Sequence, residues 1–478
     1  MMSSNLRCAR AALSLIAPTL LIAGCTLGPN FHGAPPVAAE AFQASTFKRA
    51  PQQGVSTAMP AAATWWESLG DPQLNHLIEA GLENSPDLRA AEARLHQSRA
   101  GLRQQKSNQL PKVGGTAVYL HAQLPDSPLG VSHVDFYNLG FDATWEADLF
   151  GGTRRAVEAA SAEAQAAQAD VADAHVQLSA EIAQAYVQLR DSQQRLDLVR
   201  KSIEVEDRAL TLTQQRRSQG VASDLEVERI RTQVENSRAA LIPVDEQIAE
   251  ALDQLAALTG REPGALDAQL APSAPLPRLP DVTPLGDPAS LLRRRPDIRA
   301  AELRLASKNA QIGERIADWF PKLTLIGDLG FSAADPGHLV RSENFMWIGA
   351  PLLQWNALDF GRTKARVEQA HAGFDEAAAK YESTVLGALR DANVALSRYG
   401  HQRESVVRLR SVETSATRSA ELTGQRYRAG TTSALEWLDA ERTRFSAEQS
   451  RISADADLLK DYVSLQKSLG LGWTPQER

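Results

Sequence analysis

The stretch that decides the fold begins FGGTRRAVEAASAEAQAAQAD (150–170) and ends TLTQQRRSQG (211–220). Between Gly152 and Gly220 it contains neither proline nor glycine. Ala, Glu, Gln, Arg and Leu dominate it, and these are good helix formers. About 67 residues at 1.5 Å each predict one helix of roughly 100 Å. Such a helix is too long for a globular core and too polar to span a membrane.

Apolar residues recur along this stretch every three or four positions. One heptad row contains Ile182, Leu189, Leu196, Ile203 and Leu210, and a second row, offset by four, contains Leu178, Ala185, Ser192 and Val199. Spacing of this kind, sustained over many turns, predicts helices that pack side by side along an extended seam.

The sequence repeats itself at an offset of 210 residues. PDLRAAEARL (86–95) returns as PDIRAAELRL (296–305), and Trp145 returns as Trp355. The offset holds over about 170 residues and includes Pro, Trp, Phe and Gly landmarks, so a low-complexity helix that matches itself does not explain it. The pattern indicates a tandem duplication.

Composition limits the classes that remain. The chain has 478 residues, enough for two or three domains, with 23% charged and only 6% aromatic residues, which suits long helices. Its two cysteines, Cys8 and Cys25, lie near the N-terminus, so no disulfide framework or cysteine-based metal site is expected in the body. A net charge of −7 argues against a nucleic-acid partner.

The N-terminus reads as a secretory signal over residues 1–24. Arg7 and Arg10 supply its positive region, and an apolar run follows them. It ends in LIAGC (21–25), which resembles a lipobox and predicts lipidation of Cys25. Thr26 rather than Asp follows, which points to the outer membrane by the sorting rule for such lipoproteins. The alternative is an ordinary signal with an incidental cysteine.

Pro, Gly and Asp residues, which mark turns and helix ends, divide the rest of the chain into segments. Asp71 with Pro72 is a helix start, and the triple arginine Arg293–Arg295 is interpreted as a solvated helix entrance. The expected segments are a lipidated extended region (25–70), a first repeat of helix, β-hairpin, long helix and return helix (71–260), a proline-rich crossover (261–295), a second repeat (296–470) and a tail (471–478).

Each repeat carries one β-hairpin. Residues 138–149 alternate strictly, with Leu139, Phe141 and Trp145 on one face and polar or small residues on the other. Four strands cannot close on themselves, and a sheet that spans lipid must be a closed barrel. Several chains would therefore have to share one barrel, and three would give twelve strands. The alternative is a soluble hairpin cap on a coiled coil.

Together these landmarks resemble the outer-membrane factor family, the TolC-like exit ducts of tripartite efflux pumps, in its lipidated OprM- and NodT-like branch. The matching segments are CTLGPNF (25–31), WWESLGDPQL (65–74), LLRRRPDIRAAE (291–302), DWFPKL (318–323), DFGR (359–362) and RYRAGTTSALEWLDAER (426–442). The resemblance implies a mainly α fold with a small β part. It further implies a homotrimer with a twelve-strand transmembrane β-barrel, a long periplasmic α-barrel and an equatorial region that holds the crossover.

Two helix–turn–helix tips are the predicted docking surface for a periplasmic adaptor. Each turns at a glycine and restarts at a serine with Glu three residues on, the pattern of a capping box. The predicted docking residues are Arg216, Gly220 and Ser223 at one tip and Arg426, Gly430 and Ser433 at the other. Glycine and serine build the turn, so the exposed arginine and glutamine residues are the better candidates for contact.

A periplasmic gate is predicted on the helix that follows Gly430. Leu435, Asp439 and Arg442 share one helical face, whereas Leu438, Phe445, Ile452 and Leu459 form a separate packing row. These three positions match the gate positions of the OprM-like motif. A trimer would then have an apolar ring, an acidic ring, and an arginine that pairs with a neighbouring helix. The alternative is a surface ion pair between Asp439 and Arg442.

The predicted function is an outer-membrane channel that passively conducts drugs or other small toxic compounds. Its expected partners are a periplasmic adaptor (membrane fusion) protein, an inner-membrane transporter of the resistance–nodulation–division (RND) type, and outer-membrane lipid. The alternatives are a duct for type I protein secretion and a non-conducting coiled-coil lipoprotein. No enzyme, metal site or cofactor is expected, because His residues are scattered and no nucleophile elbow or phosphate loop occurs.

Overall fold

The structure is a computed structural model that describes residues 26–61, 63–123 and 133–474. Two of its helices have 67 residues each and cover the stretch 152–218 and its copy, so the prediction of long helices is confirmed. In chain order the helices are α1 (Ala39–Gln43), α2 (Pro72–Asn84), α3 (Pro86–Ser107), α4 (Gly152–Ser218), α5 (Asp224–Ala239), α6 (Leu241–Leu258), α7 (Asp267–Leu270), α8 (Pro288–Arg294), α9 (Pro296–Ala317), α10 (Arg362–Arg428) and α11 (Ala434–Ser468).

The strands form one substantial sheet and one small one. They are β1 (Val55–Ser56), β2 (Lys112–Gln123), β3 (His133–Ala147), β4 (Thr283–Pro284), β5 (Lys322–Ala333) and β6 (Phe345–Gln354). The large sheet is antiparallel in the order β2-β3-β5-β6, so the two predicted hairpins lie side by side. Within the described residues, β2 and β6 each pair on one side only. The fold is mainly α with a small β part, as the sequence predicts.

A tryptophan in each hairpin ties the sheet to the helix that precedes it. The Trp145 indole nitrogen donates to the carbonyl oxygen of Gln109 at 2.9 Å, and the Trp355 indole nitrogen donates to that of Trp319 at 3.0 Å. Both bonds join residues 36 positions apart. The same contact therefore occurs once in each repeat.

The chain divides into two compact units. The first contains the described residues up to Pro35, together with Arg94–Gln168 and Ala300–Glu382. It holds the large sheet. The second contains Pro36–Ala93, Ala169–Arg299 and the described residues from Ser383 onward. It holds the crossover and both helix–turn–helix tips.

The predicted apolar rows lie partly in the packed seam of the second unit, and Val199, Ile203 and Leu210 are only half-buried. Ile182 and Leu189 of α4 are fully buried. The row predicted on α11 is also buried at all four positions, Leu438, Phe445, Ile452 and Leu459. Leu198 of α4 joins Phe445 and Ile452 in one cluster. Because a buried aliphatic side chain contributes roughly 1.5–3 kcal/mol, this seam supplies packing free energy that stabilises the long helices.

The two return helices differ. The second, α11, is continuous over 35 residues, whereas the first is divided at Ala240 into α5 and α6. Pro243 accounts for the break, because it has no N–H to donate to the carbonyl of Ala239 and its ring crowds that carbonyl. The corresponding residue of the second repeat is Ser453, which permits an unbroken helix.

A buried arginine fixes the start of the first repeat to the crossover. Arg190 of α4 is 1% exposed. Its guanidinium donates to Gln193 at 2.7 Å, to the Pro272 carbonyl at 2.8 Å and to Gln73, and it lies over the Tyr186 ring. The Tyr186 hydroxyl donates to Asp71 at 2.8 Å, and burial raises the Tyr186 pKa to about 12.

Asp71 is itself the N-cap of α2, as predicted. Its carboxylate accepts the backbone N–H of Gln73 and of Leu74, and Pro72 is the first helical residue. One polar network thus joins a helix cap, the long helix α4 and the extended crossover.

The triple arginine is not uniformly solvated, and for Arg295 the interpretation as a solvated entrance is wrong. Arg293 is exposed and Arg294 donates weakly to the Pro60 carbonyl. Arg295, with a side chain only 12% exposed, forms a bidentate pair with Asp297 and donates to the Ser468 carbonyl at 2.8 Å. It therefore holds the C-terminal end of α11 against the start of α9.

Replacing Arg190 tests the network. We expect Arg190→Ala to lower the free energy of unfolding by about 3 kcal/mol or more, because buried partners lose charged hydrogen bonds. The measurement is thermal unfolding followed by circular dichroism. Arg200→Ala on the same helix is the control, since Arg200 is 62% exposed and lies 3.9 Å from Asp197. Equal unfolding midpoints for the two variants would contradict the role assigned to Arg190.

Candidate functional site

Both tips turn as the sequence predicts. The first tip is residues 216–225 and the second tip is residues 426–435. Gly220 and Gly430 have φ of 74° and 75°. At each tip the glycine N–H bonds to the carbonyl three residues earlier and the next N–H to the carbonyl five residues earlier. This is the Schellman pattern, in which glycine alone avoids the penalty of the left-handed conformation.

The helix restarts differ in one bond. The Ser223 hydroxyl accepts the Glu226 N–H, and the Glu226 carboxylate accepts the Ser223 N–H at 2.8 Å, so this capping box is complete. The Ser433 hydroxyl accepts the Glu436 N–H at 3.1 Å. Within this described turn the reciprocal bond is missing, so only half of the second predicted capping box forms.

An aromatic stack at the second tip is contacted by an arginine of the first tip. The Tyr427 and Trp437 rings are parallel within 5°, with centroids 5.2 Å apart. The Arg216 guanidinium lies 5.1 Å from the centroid of the Tyr427 ring. Such a cation–π contact adds roughly 0.5–2 kcal/mol. Arg216 therefore belongs to the packing between the tips.

The two predicted docking arginines are thus in different situations. Arg216 is half-buried against Tyr427, whereas Arg426 is exposed. Gly220, Ser223, Gly430 and Ser433 lie in the turns that they were predicted to build. Of the predicted contact residues, Arg426 is the one whose charge faces solvent.

Sequence reasoning missed Tyr427 and Trp437. A signal was available, because the first repeat has Arg217 and Val227 at the corresponding positions. Two aromatic residues that appear in one copy only, ten residues apart across a turn, indicate a contact that the duplication does not explain. The sequence does not indicate that Arg216, which belongs to the other copy, contacts Tyr427.

The predicted gate residues do not share one environment. Leu435 is half-buried and packs against a cluster of Ala209, Ile230, Val234 and Leu438. Asp439 and Arg442 are exposed, with side chains 67% and 64% accessible, and pair with each other at 2.6 Å. The pair within the helix is the surface arrangement that the sequence left open as an alternative. The gate itself stays a prediction.

Ion pairs attach each return helix to its long helix. Arg238 of α5 donates to both carboxylate oxygens of Asp207 on α4, which raises the Arg238 pKa. On the second repeat, Arg451 of α11 bonds Glu413 of α10 at 2.7 Å, and Arg410 of α10 bonds Asp455. Sliding of these helices past one another would separate the partners of these ion pairs.

The large sheet has one apolar face. By register its residues are Val113, Ala117, Leu139, Phe141, Trp145, Leu325, Leu329, Phe345, Trp347 and Leu353. Phe141 is 63% exposed and Trp347 is 72% exposed. A patch of this kind on an isolated chain marks a surface that is covered by lipid or by protein.

The opposite face carries polar residues in the middle of the two central strands, although Val134, Phe136 and Ile326 also lie on it. Asp142 lies directly opposite Asp328, and Asn138 donates to Ser332 at 3.0 Å. Thr116 of β2 donates to Asp142. Towards the edge strand β6 this face also carries Ile348 and Leu352. The alternation predicted for residues 138–149 is present as far as Ala147, where the strand ends.

Other candidate sites are limited. Cys25, the predicted lipidation site, lies outside the described residues. Over the described ranges, no three His, Cys, Asp or Glu side chains are grouped to hold a metal ion.

Among the helices that the structure describes, none combines the length and the apolar character needed to cross a membrane.

Comparison with known proteins identifies the family of this chain. The sequence matches the family described as outer membrane efflux protein over residues 77–261 and 288–471, one segment in each copy. The antibiotic efflux pump outer membrane protein ArpC of Pseudomonas putida is 30% identical over 475 residues, which cover 98% of this chain and 96% of that protein. The chain therefore belongs to the outer membrane efflux protein family.

Solved structures agree with this assignment. The outer-membrane channel OprN is similar with a TM-score of 0.83 and 35% identity, covering 94% of this chain and 100% of that chain. The open-state MtrE outer-membrane channel of Neisseria gonorrhoeae gives 0.81 and 27%, covering 94% and 99%. The outer membrane is the location of this protein.

Removing the gate charge tests the predicted gate. We expect Asp439→Asn to raise conductance of the resting channel and to sensitise cells to vancomycin, and Leu435→Ala with Asp439→Ala to do so more strongly. Charge repulsion and pairing act strongly only where symmetry-related side chains converge. Planar-bilayer conductance and growth assays give the readout.

The matched control is Glu421→Gln, which breaks another exposed i, i+3 pair, that with Arg418 at 3.2 Å. If the Leu435→Ala, Asp439→Ala double variant is as tight as the unaltered protein on both measures, the gate lies elsewhere.

Proposed function

We propose that this chain is the outer-membrane exit channel of a tripartite efflux pump and that it works as a homotrimer. The observation that carries the proposal is the open sheet, in which β2 and β6 leave one edge each without a partner in the described chain. Lipid offers no hydrogen bonds to such edges. Joining β6 of one copy to β2 of the next closes three chains into twelve strands, an even number as in bacterial barrels.

The two faces of the sheet indicate which side of the closed barrel faces lipid and which faces the lumen. The face with Phe141, Leu329 and Trp347 suits acyl chains, and the face with Asp142, Asp328 and Thr116 suits a water-filled lumen. Solutes then pass down a polar path without a covalent step. Conduction is passive, and the energy comes from the pump partner.

The proposed cargo is antibiotics and other small toxic compounds. The support is that ArpC, 30% identical over almost the whole chain, is named as an antibiotic efflux pump component. The proposed partners are a periplasmic adaptor that docks at the tips and an inner-membrane transporter of the RND type. We also propose that Cys25 is acylated and anchors the chain in the outer membrane.

Two other functions fit parts of the same observations. A duct for protein secretion would use the same sheet and helices, but ArpC carries an efflux name. A non-conducting coiled-coil spacer would need neither an apolar sheet face nor a polar one. The two-faced sheet therefore favours a channel over a spacer.

Single-channel recording separates these functions. We expect the purified full-length trimer to insert into planar bilayers and give discrete conductance steps, because the twelve-stranded lumen is open to water. Chain dissociated by heating is the control and should give none. Protein that inserts without steps would support the spacer, and a deletion strain with normal drug resistance but impaired protein export would support the secretion duct.

Charge reversal tests docking at the tips. We expect Arg426→Glu to abolish drug resistance while trimers still assemble, since an exposed arginine at an interface loses its partner and gains repulsion. Resistance is read as the minimum inhibitory concentration, and assembly as the trimer band on a gel. Arg418→Glu, on the same helix two turns further from the tip, is the control.

Arg216→Glu is a separate arm, because it also breaks the stack with Tyr427. A loss of resistance with Arg216→Glu alone would indicate a packing effect, and unchanged resistance in the Arg216→Glu, Arg426→Glu double variant would count against the tips as the docking surface.

A further inference from the structure

The segment that follows Cys25 is built into the first unit. The Leu27 N–H donates to the Phe150 carbonyl at 3.2 Å. Thr26 lies so close to Gly151 that a Cβ there would be 2.8 Å from the Thr26 Cα. Phe150 follows β3 by three residues and stacks on Phe320 with ring centroids 4.6 Å apart. Thr26 and Leu27 therefore lie at the end of the sheet.

Two glycines allow the segment to approach this closely. Gly28 has φ of +88°, and a Cβ on it would overlap the Cα of Gly313 in α9. A Cβ on Gly313 would lie 2.7 Å from the Leu27 carbonyl oxygen. Any side chain at either position has to push the segment away from the helix.

One buried arginine holds the segment in place. Arg155 of α4 is 3% exposed. Its guanidinium donates to the Leu27 carbonyl at 3.0 Å, to the Gly28 carbonyl at 3.1 Å and to the Asn30 side chain at 2.7 Å. A fourth bond, 2.7 Å long, reaches the partly exposed Glu158 carboxylate.

These bonds make the N-terminal segment the main hydrogen-bond partner of the Arg155 guanidinium, whose burial is otherwise unfavourable. A buried guanidinium is tolerated only when its N–H groups are satisfied, and three of its four bonds here go to residues 27–30. Asn309 of α9 adds a bond of 2.9 Å to the Pro29 carbonyl. The second repeat has Ala365, which is exposed, in place of Arg155. The arginine thus occurs only in the copy against which the N-terminal segment docks.

We propose that Arg155 is a positioning residue for the lipid anchor, which fixes the acylated N-terminus to the end of the sheet so that the acyl chains and the strands enter the membrane together. This rests on the proposed acylation of Cys25. Thr26, which lies against Gly151, is the residue that follows Cys25 in the chain. Without Arg155 the position of the lipid relative to the sheet is not fixed. With Arg155, the lipid and the sheet form one membrane-facing surface.

The first test reads the segment itself. A nitroxide on His32→Cys, an exposed position in a mature chain whose other cysteine is Cys25, reports its mobility in the purified full-length protein in nanodiscs. We expect Arg155→Ala to raise the ratio of mobile to immobile signal about tenfold or more, since a charge-assisted hydrogen-bond set is lost. Gly28→Ala, on the other side of the contact, should do the same.

Arg99→Ala is the control, because Arg99 lies in the same unit and its side chain donates to Gln168 of α4 at 3.3 Å. An unchanged spectrum in both Arg155→Ala and Gly28→Ala would overturn the clamp. A general loss of α4 structure, seen as a lower melting midpoint in Arg155→Ala but not in Gly28→Ala, would assign Arg155 a purely structural role.

The second test asks whether the clamp acts through the lipid. Trimer formation in the outer membrane is followed with Arg155→Ala in two backgrounds, the native one and a Cys25→Ala chain exported by an ordinary signal peptide. We expect Arg155→Ala to slow assembly in the first background and to have no further effect in the second. Equal slowing in both backgrounds would overturn the coupling. Mass spectrometry of the mature N-terminus is independent, since an unmodified Cys25 would disprove the anchor and leave the clamp intact.

Discussion

The constraint on which the structure depends is that every backbone polar group in lipid needs a partner. Four antiparallel strands leave two edges, at β2 and β6, and neither edge meets another strand in the described chain. No choice of side chains repairs this, because the missing partners are backbone groups. The sheet is therefore complete only as part of an assembly, and a single chain is one third of the proposed barrel.

The long helices depend on a second constraint, which is the burial of one apolar face. Most of the stability of a helix in a protein comes from packing one of its faces, and the cluster of Leu198, Phe445 and Ile452 contributes such packing to α4 within one chain. Two arginines with little exposed side-chain surface in this unit form hydrogen bonds to distant segments. Arg190 connects α4 to the crossover, and Arg295 connects the end of α11 to α9. These two arginines thus link elements that are far apart in the sequence.

Sequence reasoning succeeded where the signal was local or periodic. Repeat offset, helix length, strand alternation and the turn glycines Gly220 and Gly430 all follow from short-range rules. It failed where one side chain selects a partner hundreds of residues away. Arg216 was expected to be exposed but covers Tyr427, and Arg295 was expected to be solvated but pairs with Asp297. Nothing in residue type or spacing specifies such contacts, because they depend on how the two copies pack.

The duplication nevertheless indicates where to look. Two copies of one ancestral unit begin with the same contacts, so a position where they differ has been adapted to something outside the shared fold. Pro243 divides the first return helix only, Tyr427 stacks at the second tip only, and Arg155 holds the N-terminal segment on the first repeat only. Each difference lies where the copies meet different surroundings. A homotrimer of such chains therefore has six similar units but only threefold identity, and asymmetric parts such as the tip stack and the anchor clamp occur three times around its axis rather than six.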